Sequence, residues 1–242
     1  MGLKAVILGA GSGRRLFPLT KDRPKCLLEI GRKTILDRIL ENLGRAGIRE
    51  TVLVVGFCQD LVRDLARERG FKGLELVVNA KYESTNTAYS LRLALSRMDS
   101  DFLLINGDLL FDGLILRDLI AHPQRNCVVV DSGIPLAAEE VKVQAVNGYV
   151  LRIGKDLKPE ESLGEAIGIC KFSREVIPAL SAVFDDLERH SEFHHYFEKG
   201  IELLCEDGVR FGILLTDRPW VEIDSLEDWD YAVKEIRPKL EP

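Results

Sequence analysis

Apolar side chains in this chain come first in short unbroken blocks and later in alternation. LKAVIL (3–8), TVLVVGF (51–57), LELVVN (74–79), DFLLING (101–107) and NCVVVD (126–131) are nearly free of polar residues. Short blocks without a polar face predict strands covered on both sides. Between them the spacing becomes helical. Over 34–46, Ile35, Leu36, Ile39, Leu40 and Leu43 recur at intervals of three and four, and Gly47 marks the stop. Charged 59–69 ends at Gly70, TAYSLRLALSRM fills 87–98, and a short helix is expected over about 114–121. Strand and helix in alternation predict a parallel sheet with helices on both faces.

After residue 140 the pattern changes. VKVQAVNGYVLRIGK has two alternating runs around Asn147-Gly148, which predicts a hairpin. AIGICKF, a helical pattern over 174–184, a helix near 193–206, VRFGILLT, WVEID and a final helix from Ser225 follow. No repeat, low-complexity tract or Pro/Gly/Ser linker interrupts the chain, so 1–242 is expected to be one α/β domain with a hairpin-bearing second half.

Composition narrows the setting. No run approaches the roughly 18 apolar residues of a membrane helix, so no membrane insertion is expected. Lys4 before an apolar run resembles a secretory leader, but the run is only AVIL and arginines replace the cleavage site. Val6 breaks the myristoylation pattern. Five scattered cysteines without C-x-x-C indicate neither zinc nor disulfides, and a reduced cytoplasmic setting is expected. A net charge of −6 argues against nucleic acid as a partner. Few glutamines among many Glu, Lys and Arg point towards a thermophilic source.

One stretch stands out from this acidic background. LGAGSGRRLFPLTKDRPK (8–25) places Gly9, Gly11 and Gly13 after the first strand, then Arg14, Arg15, Lys21, Arg23 and Lys25. G-x-G-x-x-G would need glycine at 14 or 16, where Arg14 and Leu16 stand, and the P-loop pattern fails as well. Glycines alone are equally a turn needing positive φ. Cations crowded beside them fit a triphosphate, whose oxygens take backbone N–H groups and basic side chains. Pro18 and Pro24 would stiffen the loop around Lys25.

Gly9-Ala10-Gly11-x-Gly13-x-Arg15-Leu16-x-Pro18-Leu19-Thr20, with Pro24-Lys25, resembles the signature of nucleotidyltransferases that activate phosphorylated sugars and alcohols. The resemblance implies a Rossmann-like three-layer sandwich with a mostly parallel mixed sheet. It also implies a nucleotide-binding half over about 1–132 and an acceptor-binding half over about 133–242. Leu8, Gly9, Ala10, Gly11, Ser12, Gly13, Arg14 and Gly107 would bind the nucleotide, with Arg15 on the triphosphate and Lys25 at the reacting phosphates. Gly9 replaces a usual alanine. Arg14 replaces a small residue or threonine and adds a cation whose role the signature does not explain.

Nucleotidyl transfer sets one anionic phosphate against another, and carboxylate-held magnesium lowers that repulsion. Carboxylates at the carboxyl ends of strands are therefore expected. Asp108, after Gly107, and Asp224, in W-V-E-I-D-S, are the two metal positions the resemblance implies. Each alone is equally a turn or cap residue: Ser225-x-x-Asp228 is a capping box.

Residues 79–91, NAKYESTNTAYSL, lack the Gln, Pro and Gly of sugar-phosphate members. They are similar instead to phosphocholine and inositol-phosphate cytidylyltransferases in Asn79, Tyr82, Asn86 and Ser90-Leu91. That implies CTP as donor, with Asn79, Thr85, Asn86 and Thr87 at the nucleotide, although 85–87 equally reads as a helix cap. GEAIGI (164–169) resembles the inositol branch, which implies a phosphorylated polyol, inositol-1-phosphate, with Lys155 on its phosphate and Glu165 on a hydroxyl. It also implies a separate membrane CDP-alcohol phosphotransferase that uses the product; a monomer or homodimer is expected. A choline acceptor would need an aromatic cage, and Tyr82, Tyr89, Phe193, Tyr196, Phe197 and Trp220 read mainly as core. His190, His194 and His195 are expected on a helix without a third ligand, so they are not assigned to metal.

Overall fold

The computed structural model describes residues 2–241. In chain order the first half runs β1 (Lys4–Gly9), a small hairpin of β2 (Glu29–Ile30) and β3 (Lys33–Thr34), α1 (Ile35–Arg45), β4 (Thr51–Val55), α2 (Gln59–Arg69) and β5 (Leu74–Val78). Then come α3 (Thr87–Leu95), β6 (Phe102–Asn106), β7 (Leu109–Phe111), α4 (Leu114–Ala121) and β8 (Cys127–Asp131). The second half adds β9 (Lys142–Val146), β10 (Tyr149–Gly154), β11 (Gly164–Phe172), α5 (Ile177–Arg189), α6 (Glu198–Glu206), β12 (Gly212–Leu215), β13 (Trp220–Glu222) and α7 (Leu226–Tyr231).

Local chemistry sets several boundaries. The Thr34 side chain accepts from the Asp37 amide and Asp37 caps Thr34 in return, which starts α1. Ser225 and Asp228 do the same for α7, as the spacing predicted. Asn147 and Gly148 both have positive φ, 51° and 79°, the geometry that lets a two-residue turn join β9 to β10.

Nine strands form one sheet in the order β5-β4-β1-β6-β11-β8-β12-β10-β9. The β5-β4-β1-β6 block is parallel. β11 runs antiparallel to both β6 and β8, and β12 is parallel to β8. The sheet is therefore mixed, as the resemblance implied. All nine residues of β11 are buried, and a strand covered on both faces carries no alternation from which its direction could be read.

Period-two alternation divides the core into two layers. Ala5, Ile7, Leu53, Leu103, Ile105 and Val129 face α1 and α4 on one side of the sheet. Val6, Leu8, Val52, Val54, Leu104 and Val128 face α3, α5 and α6 on the other. Among the described residues no helix is long and apolar enough to cross a membrane.

The helix expected near 193 starts instead at Glu198. Tertiary hydrogen bonds take the backbone of 193–195: Asn86 N donates to Phe193 O at 2.8 Å, and Ala88 N donates to His195 O at 3.2 Å. His194 and His195 therefore lie in a turn rather than on a helix. The ribbon of β7 with β13 was not anticipated, because three-residue strands are too short to show periodicity. It matters most for the site.

Candidate active site

The carboxyl ends of β1 and β6 meet closely. Gly107 N donates to Leu8 O at 2.9 Å. A Cβ on Gly107 would lie 2.7 Å from that oxygen and 2.9 Å from Gly9 Cα, so the approach requires glycine. Beyond Gly9 the chain forms a loop rather than a helix, with one 3-10 turn at Arg14–Leu16. Gly13 has φ 62°, and a Cβ there would sit 2.6 Å from Lys25 Cγ. Thr20 Oγ1 donates to Gly13 O at 2.7 Å and ties the loop down over the Lys25 stem. Gly13→Ala is expected to displace Lys25 and to lower turnover about tenfold to a hundredfold. Steady-state rates within twofold of the parent would show that this contact is dispensable.

The Lys25 ammonium donates to Asp108 Oδ2 at 2.9 Å and to Asp224 Oδ1. Arg15 donates to the other oxygen of Asp224. The β7–β13 ribbon makes this meeting possible: Leu109 pairs with Glu222, and Ile223 N donates to Asp108 O at 3.0 Å. Burial alone would lower the Lys25 pKa, but Asp108 and then Asp224 raise it well above the ordinary lysine value. Burial opposes the charge on Asp224 too; Lys25 and then Arg15 outweigh it and hold the carboxyl below its usual range. Lys25 and Asp224 are therefore both charged at neutral pH. Burial, with a smaller contribution from Asp108, pushes the adjacent Cys26 thiol up to about 12, so it is no thiolate nucleophile.

These groups face a cavity of about 270 Å³. Of the site residues named from sequence, Leu8, Gly9, Ala10, Gly11, Arg15, Lys25, Asn79, Thr85, Asn86, Thr87, Gly107, Asp108, Lys155, Glu165 and Asp224 all line it. Ser12, Gly13 and Arg14 do not. Gly13 acts through Lys25, whereas the Arg14 side chain is 81% exposed and lies 3.7 Å from Glu83.

The polar residues of 79–87 are largely engaged already. Asn79 donates to Thr85 Oγ1 at 3.0 Å and to Ser90 Oγ at 3.1 Å, and accepts from Lys81 N at 2.9 Å. The Asn86 side chain accepts from Thr87 N and donates to His194 O, while Thr87 Oγ1 accepts from Phe197 N. These side chains shape one wall of the cavity by cross-linking α3 to the turn before α6.

Several lining residues were missed from sequence. Glu222 accepts from Asn106 Nδ2 at 3.4 Å, and burial, then Asp108 and Asp224, push its carboxyl up to about 8. A signal existed: Glu222 and Asp224 are two apart, and so share a side of an extended segment. Glu198, Tyr82 and Tyr196 also line the cavity. Tyr196, at 42% exposure, departs from the expectation of core packing, whereas Tyr82 packs partly buried against the core and Phe197 is 1% exposed. Tyr196 lies in the irregular segment before α6, where apolar spacing says little.

Glu198 tests the electrostatics. Burial raises its carboxyl to about 7. A carboxyl raised in the fold binds its proton more tightly there than in the unfolded chain. Its contribution to stability is complete below pH 4.5 and declines as pH rises towards 7, by up to roughly 1.4 kcal/mol per unit. Glu198→Gln is therefore expected to raise Tm at pH 8 and to leave it near the parent value at pH 5. Equal Tm differences at both pH values would contradict this assignment.

The histidines form no centre. His190 Nδ1 lies 2.9 Å from Asp186 O and His195 Nε2 lies 3.0 Å from Glu192, and among the described residues no group of three or more His, Cys, Asp or Glu side chains is arranged for a metal.

A mixed α/β sheet with a glycine loop, cations and paired carboxylates at its carboxyl edge defines a protein that handles phosphorylated ligands. Residues 4–140 match the nucleotidyl transferase family, and the chain belongs to it. Among its relatives is CTP:phosphoglutamine cytidylyltransferase of Campylobacter jejuni, 27% identical over 96% of this chain and 100% of that protein. The fold is also that of the inositol-1-phosphate CTP transferase from T. maritima, with TM-score 0.83, 21% identity and coverage of 98% of this chain and 96% of that one. CTP:phosphocholine cytidylyltransferase from Streptococcus pneumoniae superposes with TM-score 0.82 at 22% identity, covering 97% of this chain and 99% of its own.

Proposed function

We propose that the protein transfers a cytidylyl group from CTP to a small phosphorylated acceptor and releases pyrophosphate. The observation that carries this reading is the Lys25 ammonium held between Asp108 and Asp224 where the glycine loop meets the cavity. CTP is supported by the likeness of 79–91 to cytidylyltransferases and by the nucleotide named for the three relatives.

An oxygen of the acceptor phosphate attacks the α-phosphorus, the bond to the bridging β-phosphate oxygen breaks, and pyrophosphate leaves with that electron pair. The attacking oxygen is already ionised, so no general base is needed. Catalysis is then positioning and charge stabilisation. Backbone N–H groups of Gly9 to Gly11 and the Arg15 guanidinium hold the triphosphate, and Lys25 faces the charge that builds around the α-phosphorus. Asp108 and Asp224 offer oxygen donors that already converge on one cation, which suits magnesium together with phosphate oxygens and water. Magnesium held there would offset phosphate charge and orient the leaving group.

Sequence resemblance favours inositol-1-phosphate as acceptor, and Lys155 and Glu165 both line the cavity. The chemistry of the remaining lining favours an ammonium-bearing acceptor instead. Pyrophosphate release across four nucleoside triphosphates tests the donor: CTP should exceed the others at least tenfold, and a preference for UTP or dTTP would refute it.

A further inference from the structure

We infer that the acceptor carries a primary ammonium, bound through its N–H groups by Glu198 and Glu165. This rests on the cytidylyl-transfer reading and adds the class of acceptor.

Glu198 opens the case. It is 4% exposed, it lines the cavity, and its Oε2 is buried without a hydrogen-bond partner. Asn106 lines the same cavity, and its Oδ1 is likewise buried without a partner. Two buried acceptors without partners, on residues that line one cavity, call for a ligand that brings donors.

Charge narrows the donors. Glu139, Glu140 and Glu165 line the cavity beside Glu198, and Glu165 is 9% exposed. Lys142 offers little compensation, because its ammonium already donates to the carbonyls of Ala137, Ala138 and Glu140 at 3.0–3.2 Å. Lys155 lies 4.0 Å from Glu139 and 4.5 Å from the Tyr196 ring centre, so it already covers that ring and leaves one lysine set against four carboxylates. A polyol hydroxyl would satisfy the unpaired oxygens but would leave the carboxylate charge unbalanced.

A trimethylammonium fits less well. It has no N–H for Glu198 Oε2 and depends on several aromatic faces. Tyr89 and Phe193 already face Lys81, at 5.3 and 5.2 Å, and the Trp220 indole donates to Asp131 at 2.8 Å.

The test uses the full chain with CTP and magnesium, reading pyrophosphate release with 2-aminoethyl phosphate, 3-aminopropyl phosphate, phosphocholine and inositol-1-phosphate. At least one aminoalkyl phosphate should exceed both others tenfold or more in kcat/KM. Glu198→Gln keeps the shape and a carbonyl acceptor but removes the charge, so KM for the amine should rise at least tenfold. Glu165→Gln should move KM in the same direction. Preference for inositol-1-phosphate or phosphocholine, or an unchanged amine KM in both variants, overturns this inference and leaves cytidylyl transfer standing. No pyrophosphate from CTP with any acceptor overturns both.

Discussion

Lys25→Ala should lose about three orders of magnitude in turnover while the protein remains folded. The ammonium is the cation shared by Asp108 and Asp224, its side chain is 16% exposed, and its charge is secured by both carboxylates. A preorganised charge at the reacting phosphorus is the kind of group whose removal costs turnover on this scale. Stability should suffer less, by about 1–2 kcal/mol, because water reaches both carboxylates. Millimolar magnesium should restore more Tm to the variant than to the parent, since a second cation can stand between the same oxygens. Near-normal pyrophosphate release by a folded Lys25→Ala protein would remove Lys25 from the mechanism.

Asp224→Asn is the second large effect. Asp224 accepts from Lys25 on one oxygen and from Arg15 on the other, so one carboxylate orients both cations. The amide keeps the shape but replaces an acceptor with a donor that faces a cation. Turnover is expected to fall about a hundredfold to a thousandfold, and the magnesium concentration for half-maximal rate should rise. A magnesium titration that overlays the parent curve would show that Asp224 does not serve the metal.

Much of this was legible in the sequence because the chemistry was local. The apolar blocks marked strands of the sheet, Asn147-Gly148 marked its hairpin, and the glycine loop named its own cations. The antiparallel course of β11 was hidden by burial on both faces. The acidic corner was hidden by distance: Glu165 lies on a strand, Glu198 at the start of a helix and Tyr196 in the irregular segment before it. Nothing in their spacing announces that they share a cavity. Arg14 is the contrary case, a conspicuous charge in the sequence whose side chain is exposed beside Glu83 and does not line the cavity.

The β7–β13 ribbon gives the site a place in time. It joins Asp108 to the much later Asp224, so the loop, Lys25 and Asp108 exist on a nascent chain well before Asp224 does. On a nascent chain the carboxylate pair therefore stays incomplete until Asp224 has emerged and β13 has paired with β7. A break anywhere between the two strands that let the last segment drift would silence the chemistry without touching a phosphate-binding residue.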